Sequence, residues 1–176
     1  MSDLDQRMLL HDVADRLNTV ADHLPLTDQV HPDPGLSEIL DDEVRQLARL
    51  LGYLVGESAF RHRAAIRYPH QPTATDRRTT LALASAAQPV GAALAALGAA
   101  VRHLGLLAHL THQPPSPARD RSITTAHQGL VDRVGDARTH LARAAKQLRA
   151  AADTQVTPAV AAPRPPTASA ATSRNR

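Results

Sequence analysis

The sequence predicts an all-α fold: an up-down-up-down antiparallel four-helix bundle with long helices and a disordered C-terminal tail. In four segments, apolar residues recur in alternating steps of three and four, which is typical of amphipathic helices. Proline-rich joints separate these segments. The 176 residues include no Trp, one Phe and two Tyr, so Leu, Val and Ala must form the core. Such a core suits close helix packing, because strands favour aromatic and β-branched residues.

The first predicted helix covers about residues 3–24, with Ser2 as its N-cap. The second covers residues 37–67, after a joint that is rich in Pro. Their apolar seams contain Leu10, Val13, Leu17, Val20 and Leu24 in the first, and Leu40, Val44, Leu47, Leu51, Leu54 and Ser58 in the second. Because the first helix is the shortest, we expect part of the bundle seam to stay uncovered.

The third predicted helix covers residues 76–111 and the fourth residues 117–152, with Ser116 as N-cap and Pro117 in the first helical position. Pro89 lies inside the third helix and predicts a kink, or two helices that meet there. The predicted seams contain Val90, Leu94, Leu97, Val101, Leu104, Ala108 and Thr111 in the third helix, and Ile123, His127, Leu130, Val134, Ala137, Leu141, Ala144 and Leu148 in the fourth.

These four helices place the bundle in residues 1–153 and leave residues 154–176 as a tail. The tail consists mainly of Pro, Ala, Thr and Ser with a few Arg. Such a segment cannot bury enough apolar surface to offset the entropy lost on ordering, so we expect it to be disordered.

The third helix carries a second apolar stripe opposite its seam, which a simple monomeric bundle would leave exposed to water. The stripe contains Ala92, Ala96, Ala99, His103, Leu106 and Leu110. Tyr53 and Phe60 of the second helix lie opposite its leucine seam and are candidate anchors for an interface. These residues predict a non-enzymatic interaction or scaffold protein that forms a homodimer or binds another helical protein.

Three glycines of the third helix, Gly91, Gly98 and Gly105, recur every seven residues directly after seam residues. Each costs about 1 kcal/mol relative to Ala in a helix. We therefore expect them to form a groove that lets a neighbouring helix pack closely.

Signals of enzymatic chemistry are absent from the sequence. It contains no phosphate-binding loop, nucleophile elbow, dinucleotide-binding glycine motif or zinc-protease helix. With no Cys, disulfides and thiolate sites are excluded. We therefore expect no enzymatic activity and no cofactor. One alternative is a metal site, because the topology gathers His23, His31, His109 and His112 at one end, and zinc needs three or four such ligands.

Charge is distributed unevenly along the chain. Residues 1–45 hold eleven acidic residues and three Arg, whereas the rest holds six acidic and seventeen basic residues. One explanation is that acidic and basic helices neutralise each other inside the bundle. The alternative is nucleic-acid binding through the basic fourth helix and the tail, with Arg133, Arg138, Arg143, Lys146 and Arg149 contacting phosphates.

The apolar run of residues 81–101 is long enough to span a membrane. Most of it is Ala and Gly, however, and neither flank carries the Trp or Tyr that marks a membrane interface. We therefore predict no membrane span. The N-terminus lacks the pattern of a secretory signal, so we expect a cytoplasmic protein.

Overall fold

The computed structural model describes residues 2–155, which form four helices and no strand. The helices are α1 (Asp3–His23), α2 (Pro34–Arg67), α3 (Ala74–Thr111) and α4 (Pro117–Thr154). Short joints make consecutive helices antiparallel, and the main contacts join α3 to α4, α1 to α4 and α2 to α3. The predicted all-α four-helix bundle is confirmed. The predicted tail lies outside the described residues, apart from Thr154, the last residue of α4, and Gln155.

Capping residues fix the helix starts. Ser2 and Ser116 cap α1 and α4 as predicted. The other two helices begin slightly earlier than predicted: Asp33 caps α2, which starts at Pro34, and Thr73 caps α3. Proline fits the first position of α2, because its missing N–H would have no intrahelical partner there.

The core is a layer of leucines that all four helices contribute, supplemented by Ala and Val. The fully buried leucines are Leu10, Leu17, Leu24, Leu40, Leu47, Leu54, Leu83, Leu97, Leu130, Leu141 and Leu148. All five predicted seam residues of α1 are buried, as are the six predicted for α4 from Leu130 to Leu148. The α-helix of α3 continues through Pro89, so the expectation of two separate helices is wrong.

The joint between α1 and α2 covers part of the seam that the short α1 cannot reach. Val30 in this joint is buried, and its carbonyl lies 3.2 Å from His127 Nε2 of α4. The guanidinium of Arg138 donates hydrogen bonds to the carbonyls of Ala21 and Leu24 at the end of α1. This joint therefore covers part of the seam beyond the end of α1, while a cavity lined by Leu104 and Ile123 leaves another part open, as expected.

Polar side chains tie three helices together at the opposite end of the bundle. The Thr79 hydroxyl donates to the buried Gln6 amide oxygen at 2.7 Å and accepts from the Gln155 amide at 3.1 Å. Gln6 also donates to Asp76 at 2.5 Å. Burial raises the pKa of Asp76, but hydrogen bonds from the Thr73 backbone and hydroxyl and from Gln6 outweigh this and leave its pKa below the ordinary 3.8.

Candidate interaction surface

The second apolar stripe of α3 faces α4 and not solvent, so its predicted role as a free interface is wrong. Ala96 and Leu110 are buried, and Ala92, Ala99 and His103 are half-buried. Of the six residues in the stripe, Leu106 alone is exposed. The stripe packs inside the bundle because α4 carries no side chain at Gly129. A Cβ atom added to Gly129 would lie only 2.5 Å from Cε1 of the His103 ring.

In the C-terminal half of α3, the buried residues lie on a different side of the helix from the predicted seam. Val101, Ala108 and Thr111 are exposed, whereas Ala93, Ala100 and Leu107 are buried. The side of α3 that carries Leu104, Leu107 and Ala108 faces α2. These residues line a cavity of about 630 Å³ together with the first turns of α2. The helix is thus two-sided within its own chain, with α4 on one side and α2 on the other.

The glycines of α3 do not form the predicted close-packing groove. A Cβ atom added to Gly91, Gly98 or Gly105 would meet no atom within 4 Å, and the same holds for Gly52 and Gly56 of α2. No neighbouring helix of this chain therefore requires these five residues to be glycine. Their cost in helix stability is not offset by any contact within residues 2–155.

The structure does not assemble the predicted histidine metal site. Within residues 2–155, no three His, Asp or Glu side chains lie close enough together to hold a metal ion. His23 instead pairs with Glu43 at 2.9 Å, and His109 lies 3.0 Å from the Gln113 amide. Since α1 ends beside Arg138, about 30 Å along α4 from its first residue, His23 lies far from the end that carries His109 and His112.

Three of the five basic residues proposed for nucleic-acid binding have partners inside the molecule. Arg138 binds the last carbonyls of α1, and Arg149 donates to an α1 carboxylate at 2.7 Å. Arg133 pairs with a carboxylate on its own helix at 2.9 Å. Arg143 and Lys146 are exposed. The basic α4 lies beside the acidic α1, so the two helices offset part of each other's charge.

The C-terminal half of α2 is the least covered part of the bundle. Leu54 is its last buried residue, so the rest of the helix, about three and a half turns, buries no side chain. Beside these turns and the first turns of α3 lies an open groove of about 780 Å³, which we call the α2–α3 groove. Its lining includes Phe60, Tyr68 and Leu81, of which Phe60 is 62% and Leu81 67% exposed. Phe60 was predicted from the sequence as an interface residue, whereas Leu81 was not.

Several polar side chains that line the groove have partners within the chain. The hydroxyls of Ser58 and Thr80 in its lining donate to carbonyls of their own helices at 2.7 and 2.8 Å. Arg61 pairs with Glu57 at 2.7 Å. The remaining lining is rich in Ala and includes two neighbouring groups of opposite charge, Asp76 and Arg77. Such a groove suits apolar side chains.

An exposed surface extends from the groove along both helices; its α3 side is uncharged, whereas its α2 side also carries Glu38, Asp41, Arg45 and Arg63. On α2 it includes Val55, which is 53% exposed, and Ile66, which is 68% exposed. On α3, every exposed residue between Arg78 and Arg102 is uncharged. We call this the α2–α3 outer surface. Tyr53 is exposed on the flank of α2 nearer α1; burial and Glu57 raise the pKa of its hydroxyl.

Among the described residues, α3 is the one helix long and apolar enough to cross a membrane, with a mean hydropathy of 1.6 over its most apolar window. Here it packs against α2 and α4, and a third of that window is buried. Core helices of soluble proteins share this length and composition, so neither feature assigns the helix to a membrane.

The fold and this surface have no counterpart that would supply a function by similarity. No protein-family model, no curated protein and no solved structure matches this chain.

Proposed function

We propose that this protein is a non-enzymatic helical interaction protein whose α2–α3 outer surface binds a helical protein partner. The observation that carries the proposal is that α2 extends about three and a half turns beyond its last buried residue and keeps Phe60 and Ile66 exposed beside an apolar groove. Exposed apolar patches of this kind mark interaction sites on soluble proteins.

A helix is the partner that best fits the shape of this surface. The α2–α3 groove is open and elongated between two antiparallel helices, which is the arrangement that receives an amphipathic helix. An aromatic residue buries about 150–250 Å², and since Phe60 is 62% exposed, a partner could bury about 90–155 Å² more, or about 2–4 kcal/mol of gross apolar burial at about 25 cal/mol per Å². Phe60 and Leu81 together therefore provide the anchor that such binding needs, before the cost of association is subtracted.

Site-specific photo-crosslinking in cells of the source organism tests the proposal. A photoreactive phenylalanine analogue replaces Phe60 or Leu81 in the full-length chain, and Leu26 serves as the matched control because it is 48% exposed in the joint between α1 and α2. We expect protein adducts from positions 60 and 81 and none from position 26, with mass spectrometry identifying the cross-linked partner. Equal adduct yields at all three positions, or none at any, would refute the proposed function.

A further inference from the structure

We infer that the helical partner is a second copy of this chain, bound antiparallel through α2 with a two-fold axis at Gly52. This inference rests on the proposed function, since it names the partner of the same surface. Its basis is the outer face of α2, which repeats at helical spacing and contains Glu38, Asp41, Arg45, Ala48, Gly52, Gly56, Ala59, Arg63 and Ile66. All of these residues are exposed except Ala59, which is half-buried.

The charges on this face are complementary under a two-fold rotation. Its first turns carry Glu38, Asp41 and Arg45, of which Asp41 and Arg45 pair within the helix at 2.6 Å and leave a net negative charge, and its last turns carry Arg63. Positions 41 and 63 are equally far from Gly52, so an antiparallel pair of α2 helices places Asp41 of each copy opposite Arg63 of the other. A parallel pair would place like charges together, which is unfavourable. The charge pattern therefore selects the antiparallel orientation.

The centre of the same face allows the two backbones to approach closely. Ala48, Gly52 and Gly56 recur every four residues. In the antiparallel register, Ala48 faces Gly56 of the other copy, and Gly52 faces Gly52 of the other copy. A Cβ atom on either glycine would meet nothing within 4 Å in the described part of the chain. A second helix at this position would account for two of the glycines that the isolated bundle leaves unexplained. Val55 at the edge would gain apolar contact.

The neighbouring surface of α3 adds area without opposing charge. The α2–α3 groove sets residues 58–68 beside residues 76–84, so antiparallel α2 and α3 bring Gly52 level with Gly91. Ala84, Ala95 and Gly98 are exposed around that point. The face from Glu38 to Ile66 is about 42 Å long at 1.5 Å per residue. If α2 and α3 each contribute a strip about 10 Å wide over this length, the contact area is roughly 800 Å² per copy. That is the size of a standard specific interface.

Disulfide trapping tests this geometry, because the chain contains no Cys. We expect the full-length Gly52→Cys variant to form a covalent dimer under mild oxidation. Gly105→Cys is the matched control, since it also replaces an exposed helical glycine that has nothing within 4 Å, and it should stay uncrosslinked. Equal cross-linking of the two variants would overturn the proposed register.

Charge reversal tests the same register without cross-linking. In sedimentation equilibrium at low salt, Arg63→Asp should weaken dimerisation at least tenfold, because it faces Asp41 of the other copy twice per dimer. The double variant Asp41→Arg with Arg63→Asp should restore it, whereas Arg143→Asp on α4 should leave it unchanged. Helical circular dichroism confirms that each variant folds. A double variant as weak as Arg63→Asp would refute the pairing.

The two proposals fail in different ways. A chain that stays monomeric in sedimentation, yet gives photo-adducts with another protein from positions 60 and 81, would overturn self-pairing and leave the proposed function standing. Monomeric behaviour with no adduct at either position would overturn both. Photo-adducts between two copies, together with the Gly52→Cys dimer, support both.

Discussion

Replacing Gly129 with Ala should destabilise the bundle, although alanine is the better helix former. The added Cβ would lie 2.5, 2.8 and 2.9 Å from Cε1, Nε2 and Nδ1 of the His103 ring. Carbon atoms do not approach other heavy atoms this closely, so the ring or one of the two helices must move. The ring is half-buried between α3 and α4, and its Nδ1 is buried, which restricts that movement.

The expected magnitude comes from two opposing effects. Overpacking a well-packed site costs about 1–3 kcal/mol. The change from Gly to Ala in a helix contributes about 0.8–1 kcal/mol in the opposite direction. Gly129→Ala should therefore lower the free energy of unfolding by up to about 2 kcal/mol. Gly105→Ala receives the helical gain alone, because nothing lies within 4 Å of its added Cβ, and should raise the free energy of unfolding by about 0.8–1 kcal/mol.

Urea denaturation at low protein concentration measures both changes and keeps self-association out of the comparison. Repeating Gly129→Ala in a His103→Ala background removes the clash, so the same substitution should then be stabilising. The reasoning would be refuted if Gly129→Ala stabilised the chain as much as Gly105→Ala while His103 was still present.

Three further changes probe the rest of the bundle. Arg138→Ala should lower the free energy of unfolding by about 1.5–3 kcal/mol, because a charged donor to the last carbonyls of α1 is lost. The rate of amide hydrogen exchange at the end of α1 should rise in this variant, and an unchanged rate would contradict this role. Thr79→Val should cost about 1–3 kcal/mol in urea denaturation, since it leaves the buried Gln6 oxygen without its donor; a neutral effect would show that water replaces the hydroxyl. The lowered pKa of Asp76 stabilises the fold above the ordinary value of 3.8, and this contribution disappears as the pH falls through the folded-state value. Stability should therefore fall less on acidification in Asp76→Asn than in the parent chain, and equal losses would contradict the assignment.

Most of the fold could be predicted from the sequence because local signals agreed with each other. Ser2 and Ser116 cap helices at the predicted positions, and the predicted seam of α1 is buried throughout. In α2 the predicted Leu40, Leu47 and Leu54 are buried, whereas Leu51 is half-buried and Leu50, which was not predicted, is buried. The start of α2 was placed too late because Asp33 and Pro34 were assigned to the joint. The buried role of the joint at Val30 could not be predicted, since it depends on where α1 ends relative to α4.

The orientation of α3 could not be predicted because its apolar residues surround the helix. Alanine fits a buried or an exposed position, so Ala93 and Ala92 gave no indication of which one faces the core. Gly129 was the decisive residue, and its meaning depends on His103 lying opposite, which is tertiary information. The same ambiguity led the candidate interface to be placed on the wrong side of α3, whereas the exposed Phe60 was recognisable because an aromatic opposite a leucine seam is uncommon.

The hydrogen bonds around Thr79 have a consequence for how the chain can be rewired. Gln6 near the start of α1 and Gln155 after α4 contact the same hydroxyl, so the start of α1 and the end of α4 lie side by side. A short linker could join residue 155 to residue 2 while the chain is opened in the joint between α3 and α4, where residues 112–116 are all exposed. Such a circular permutant would keep the helix contacts and show that the order of the helices along the chain is not what defines this bundle.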